Sequence, residues 1–205
     1  MILYIHGFSS KGNGRKFESL KNVFCSTEAQ DPDFPICVSR EELISPSLPK
    51  SPKKAIEFLV STIEEGSIVV GTSLGGFYAV YLAAVRPDLA SSVLSLNPAV
   101  RPSEKLKRFL GQVKVFGTEE SFEWTQTDLD ELKELEDELL SIDVDVDSFK
   151  SSVKIAIGIH DEFTNEDEVK SYFKCPNIKK YDDGHRFDNY FEQAVEDAFL
   201  KTNGF

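Results

Sequence analysis

Residues 68–78 read IVVGTSLGGFY: an apolar, largely β-branched run stops at Ser73, with Gly71 two places before it and Gly75 two places after. A run this uniformly apolar predicts a strand buried on both faces, as in a parallel sheet. The stretch LGGFYAVYLAAVR that follows reads as an apolar helix. Strand, tight turn and helix with a serine at the apex is the arrangement called a nucleophile elbow. The apex residue takes a strained backbone conformation so that its hydroxyl projects clear of the sheet, and side chains two positions away on either side would collide. Gly71 and Gly75 remove those side chains, and Gly76 lets the helix start close to a neighbouring strand. The helix amino terminus adds positive potential where an oxyanion would form.

Outward from this turn, short β-rich runs alternate with segments of helical period. The expected strands are 2–5, 34–39, 67–71, 92–97, 153–159 and 177–181; the expected helices are 15–26, 52–65, 74–86, 103–110, 126–140, 165–173 and 187–201. Pro52 near one helix start and Pro87 just past one end mark boundaries. The repeat predicts one domain over 1–205 with an open α/β fold: a mainly parallel sheet of about six strands flanked by helices, joined by right-handed crossovers. Ligands in such folds bind at the carboxyl ends of the strands. More than fifty residues separate the strand ending near Asn97 from the one beginning near Val153. Residues 98–150 are therefore expected to form a small cap or lid insertion, the alternative being a helical excursion packed on the sheet edge. Within it, Leu129, Leu132, Leu135 and Leu139 have helical spacing, while SIDVDVDSF alternates with period two and is expected to be extended.

The chain has 205 residues, 40% hydrophobic and 28% charged, with a formal charge of -12, the composition of an ordinary soluble globular protein. That charge argues against nucleic acid or an anionic membrane as partner. Cys25, Cys37 and Cys175 are odd in number and widely spaced, which fits neither a disulfide framework nor paired metal-binding motifs and suggests a cytoplasmic location. The first residues, MILYIHGF, do not read as a signal peptide, and no segment approaches a membrane span. The sequence carries no signal of oligomeric state.

A serine needs a base to become a nucleophile, and there are three histidines: His6, His160 and His185. Chain order in this architecture is serine, acid, histidine. His185, just beyond the last expected strand, satisfies it with Asp161, at the end of VKIAIGI, as the acid. His160 is the competing base; Asp182, Asp183 and Asp188 are competing acids on the histidine's own loop. His6-Gly7-Phe8 follows the first strand, so the backbone N–H groups of Phe8 and Leu74 are the candidate oxyanion-hole donors, with His6 holding the loop. Arg101 follows the strand ending at Asn97 and is a candidate for substrate binding, selecting an anionic acyl or leaving group; the alternative is a surface arginine paired to the acidic lid. No cofactor and no metal is expected. SSKGNGRK at 9–16 lacks the Walker pattern, and a metal site made from HDE and DDGH would need ligands converging from separate loops.

In order, HGFSS, GTSLGGFYA, NPAVRP, LGQ, HDEF and GHRF resemble the small bacterial α/β-hydrolase esterases of the YqiA type, in the UPF0227 family. The resemblance runs from residue 2 to about 200, and NPAVRP at 97–102 is its most specific element, since nothing in general hydrolase mechanics dictates it. It implies a carboxylic-ester or thioester hydrolase with Ser73 as nucleophile, Asp161 as acid and His185 as base. Where such proteins carry a glycine before the DE pair and a GGNH-like approach to the histidine, this chain has His160 and DDGH. The competing expectation from another class is a non-catalytic binding protein on the same scaffold.

Overall fold

The computed structural model describes residues 1–25, 39–143, 149, 151–174, 177–201 and 204–205. A six-stranded sheet forms the centre, built from β1 (Ile2–Ile5), β2 (Leu43–Ile44), β3 (Ser67–Thr72), β4 (Ala90–Leu96), β7 (Val153–Gly158) and β8 (Ile178–Tyr181). Its order is β2-β1-β3-β4-β7-β8, and every pairing is parallel. The expected strand at 34–39 falls on residues outside the described ones except Ser39, which is not in a strand; the edge position is taken by Leu43–Ile44.

Alternation along the strands divides the core between the two faces. Val69 packs with helices α2 (Pro52–Thr62), α3 (Leu74–Val85) and α5 (Gln126–Ser141); Val70 packs with α1 (Arg15–Cys25) and α7 (Phe191–Phe199) on the other face. Apolar side chains buried in both directions are why these strands read as continuous apolar runs. The helix starts carry their own signals. Ser51 caps α2 with Pro52 at its first position, Thr125 and Asp128 form a capping box on α5, and Asn165 caps α6 (Glu166–Phe173).

Residues 98–150 do three different things. Pro102–Lys105 form α4, which tightens into a 3₁₀ turn at Leu106–Phe109 where one longer helix was expected. An unexpected antiparallel hairpin follows, β5 (Gly111–Lys114) with β6 (Ser121–Trp124). It is fastened to the loop after β1: Ser9 Oγ donates to the carbonyl of Lys114 at 2.6 Å, the Phe116 amide donates to the carbonyl of Ser9 at 2.7 Å, and the Phe8 ring meets Trp124 at 4.9 Å. The leucine stripe of α5 then lies in the main core, with Leu129, Leu132 and Leu135 buried against α2 and α3. SIDVDVDSF falls largely outside the described residues.

Candidate active site

Ser73 stands between β3 and α3 with φ 56 and ψ -117, a conformation that costs a non-glycine residue about 1–3 kcal/mol. The turn is fixed by its backbone: the Ser73 amide donates to the Leu96 carbonyl at 2.9 Å, and the Ser73 carbonyl accepts from Phe77 and Ala99. The flanking glycines are sterically obligatory. A Cβ on Gly71 would stand 2.2 Å from the carbonyl oxygen of Gly75, and one on Gly75 would stand 2.2 Å from that of Ile5.

At the end of β7, the Asp161 side chain is fully buried. His185 Nδ1 lies 3.0 Å from both of its carboxylate oxygens, and the Phe163 amide donates to Oδ1 at 2.8 Å. Phe163 also closes on the imidazole edge-to-face, with centroids 4.9 Å apart. Ser73, Asp161 and His185 line one cavity of about 720 Å³, together with Phe8, Leu106 and Phe109. Residues that follow β3, β7 and β8 therefore converge at the carboxyl edge of the sheet. No hydrogen bond joins Ser73 to His185 among the described residues; such contacts commonly tighten only once substrate is bound.

The competing groups are occupied elsewhere. His160 is exposed and paired with Asp182 at 2.7 Å. Asp183 is buried beneath the histidine loop and accepts from the amides of Gly184, Asp188, Asn189 and Tyr190. Burial alone would raise its pKa; those amides outweigh burial and hold it below the ordinary value. The loop thus winds around a carboxylate, Phe187 adopts φ 54, and α7 begins at Phe191, later than expected at 187. Asp188 pairs with Arg15 at 2.5 Å.

The backbone amides of Phe8, which lines the cavity, and of Leu74, which follows Ser73, have no acceptor among the described residues. Leu74 is the first residue of α3, and an amide there has no partner within its own helix. His6 secures the loop that carries Phe8. Its Nε2 accepts from the Leu48 amide at 3.2 Å, which leaves the proton on Nδ1 to donate to the Gly7 carbonyl at 2.9 Å. Burial lowers its pKa despite the Gly7 contact, so the neutral ring is favoured.

Asn97 is the residue that sequence reasoning passed over. Fully buried and at φ 44 just past β4, it accepts from the Gly158 amide through Oδ1 at 2.8 Å. Its Nδ2 donates to the carbonyls of Gly184 and His185 at 3.0 and 3.1 Å. One amide thus joins the Asp161 loop to the His185 loop, while Ala99, two residues on, holds the Ser73 turn. The available signal was the asparagine of NPAVRP itself, a polar residue ending a buried strand. Arg101, in contrast, is exposed at φ 48, makes no ion pair among the described residues, and lines neither this cavity nor the cleft beside it. The cations lining this cavity are Lys105 and Arg108.

The profile of an uncharacterised protein family, UPF0227, matches residues 1–199. The chain belongs to the UPF0227 family. Solved structures similar to this UPF0227 protein include Est1E from Butyrivibrio proteoclasticus, at TM-score 0.59 and 16% identity over 95% of this chain and 83% of that one. A monoacylglycerol lipase from Paleococcus ferrophilus superposes at TM-score 0.61 and 15% identity over 95% and 91% of the two chains. The alpha/beta hydrolase domain-containing protein 10 from mouse does so at 0.61 and 17% over 95% and 85%. The fold of this UPF0227 chain is that of the α/β-hydrolases. Among its described residues no helix is long and apolar enough to cross a membrane, and no group of three or more His, Cys, Asp or Glu could hold a metal ion.

Proposed function

We propose that this UPF0227 protein is a serine hydrolase of small carboxylic esters or thioesters. The observation that carries the reading is the shared cavity: a strained serine at the apex of its turn and, beside it, His185 held by the buried carboxylate of Asp161, with Phe8 on the same wall. The named esterases and lipases among similar structures lend support through the fold they share with this chain.

In this reading Ser73 Oγ attacks the carbonyl carbon as His185 Nε2 takes its proton. The oxygen of the tetrahedral intermediate accepts from the Phe8 and Leu74 amides. His185 passes the proton to the leaving group as its bond to carbon breaks. Water then attacks the acyl-enzyme, His185 taking its proton and returning it to Ser73 Oγ. Asp161 keeps Nδ1–H oriented and stabilises the imidazolium. The aromatic wall of Phe8, Phe109 and Phe163 receives the acyl group, with α4 and its 3₁₀ turn as the edge that covers it. Ser73→Ala should remain folded and lose turnover of p-nitrophenyl acetate and butyrate; near-wild-type rates would refute the assignment.

A further inference from the structure

A second cleft, of about 590 Å³, meets the aromatic cavity at Phe8, Ser73 and His185 and departs over the loop between β1 and α1. Its walls differ in character from the first. Lys11, Arg15, Lys16 and Arg186 line it, against a single acidic side chain, Asp188, in a chain with 35 acidic and 23 basic residues. Such a concentration of one sign in a concave site focuses potential on whatever enters.

The four cations are not equally engaged. Lys11 is held by Glu120 at 2.7 Å and Arg15 by Asp188 at 2.5 Å. Lys16 Nζ forms a longer ion pair with the same Asp188 oxygen, at 3.8 Å, so one carboxylate serves two cations. Arg186, next to His185 in the chain, makes no ion pair among the described residues; its guanidinium stacks on Phe116 at 4.6 Å from the ring centre. With Asp188 shared between Arg15 and Lys16, and Arg186 facing no carboxylate among the described residues, this end of the cleft keeps a net positive charge beside the reacting groups. Burial lowers the Lys16 pKa against the pull of Asp188, and Arg15 and Arg186 add repulsion; an arriving anion would relieve it.

We propose that this cleft is an anion subsite, in which Lys16 and Arg186 bind a phosphate or carboxylate carried by the part of the substrate facing away from the aromatic cavity. A guanidinium offers either anion two parallel hydrogen bonds, and that of Arg186 lies over the Phe116 ring beside the histidine loop. An anion docked there places the rest of the molecule across Ser73. The inference rests on the hydrolase reading for its link to catalysis, although binding itself does not require turnover.

The test is titration calorimetry of phenyl phosphate and benzoate into the full-length protein and into Arg186→Met and Lys16→Met. At least one of the two ligands should bind the wild type, about tenfold more weakly in each variant and weakly in about 0.5 M salt. The tighter of the two identifies the anion. The bound ligand should also slow labelling of Ser73 by a fluorophosphonate, which connects the subsite to the site. If neither ligand binds, if both variants bind as the wild type does, or if saturation leaves labelling unslowed, the subsite is overturned. Complete absence of Ser73 labelling in ligand-free protein would instead refute the hydrolase reading.

Discussion

Asn97 donates to the carbonyl oxygen of His185 at 3.1 Å while its other side-chain atom accepts the amide of Gly158 at 2.8 Å. This buried contact sets the spacing between the loop bearing Asp161 and the loop bearing His185. Asn97→Ala should lower kcat on a p-nitrophenyl ester by roughly 10²-fold, the scale of a small misplacement of reacting groups. KM should change far less, because Asn97 lines neither cleft. Unfolding should become easier by about 1–3 kcal/mol through the buried groups left unpaired. Unchanged kcat in a folded variant would show that the two loops hold themselves in place.

Asp161 and Asp183 are both buried carboxylates near His185, but only Asp161 touches the ring. Asp161→Asn should therefore cost roughly 10⁴-fold in kcat, the effect expected where an orienting acid is replaced by an amide, with little loss of stability. Asp183→Asn should do the reverse in kind, lowering the melting temperature with a smaller effect on kcat. Steady-state kinetics and thermal unfolding on the two variants, side by side, check the assignment.

Acid should unfold the protein in part through Asp183. Its folded pKa lies below the ordinary 3.8 because backbone amides outweigh burial. The unfolded chain therefore binds the proton more readily, and the stabilisation present above that ordinary value is lost as pH falls toward the folded one. Asp197, held by Lys179, Lys201 and Tyr181 and likewise lowered against burial, adds to the same loss. Chemical denaturation between about pH 5 and pH 3 should give a steeper loss for wild type than for Asp183→Asn.

His6 has a different acid window. Burial lowers its folded pKa below the ordinary 6.5, so stability is greatest above that value. It decreases as pH falls below it, since the unfolded chain protonates first. Replacing His6 with Gln should flatten that portion of the profile. Denaturation midpoints measured from pH 7.5 to pH 5 would show it; an unchanged slope would mean that the loop carrying Phe8 does not depend on a neutral ring.

Much of this architecture is legible in the chain because local chemistry dictates it. The β3 turn announces itself through glycines whose Cβ atoms would strike neighbouring carbonyls, and the leucine stripe of α5 is buried where its period puts it. Features set by distant partners were not legible. Asn97 acts on residues 61 to 88 positions away, and no spacing rule encodes that. The four-residue strands of the β5–β6 hairpin are stabilised by their contact with the loop after β1, and Leu43–Ile44 is a strand only because β1 lies beside it. The carboxylate of Asp183 delays α7 by capturing amides at 188–190. Arg101 followed a strand at the correct edge but is not among the residues lining the cavity, although its neighbour Pro102 is; it is the left-handed residue that leads into α4.

Covalent labelling with a fluorophosphonate followed by peptide mass spectrometry tests Ser73 as the nucleophile most directly. A single adduct is expected on the peptide containing Ser73, formed by the wild type and absent from Ser73→Ala, with labelling slowed at least tenfold in His185→Ala. A wild-type protein that is folded yet takes no label, or labelling that persists equally well without Ser73, would rule out Ser73 as the nucleophile.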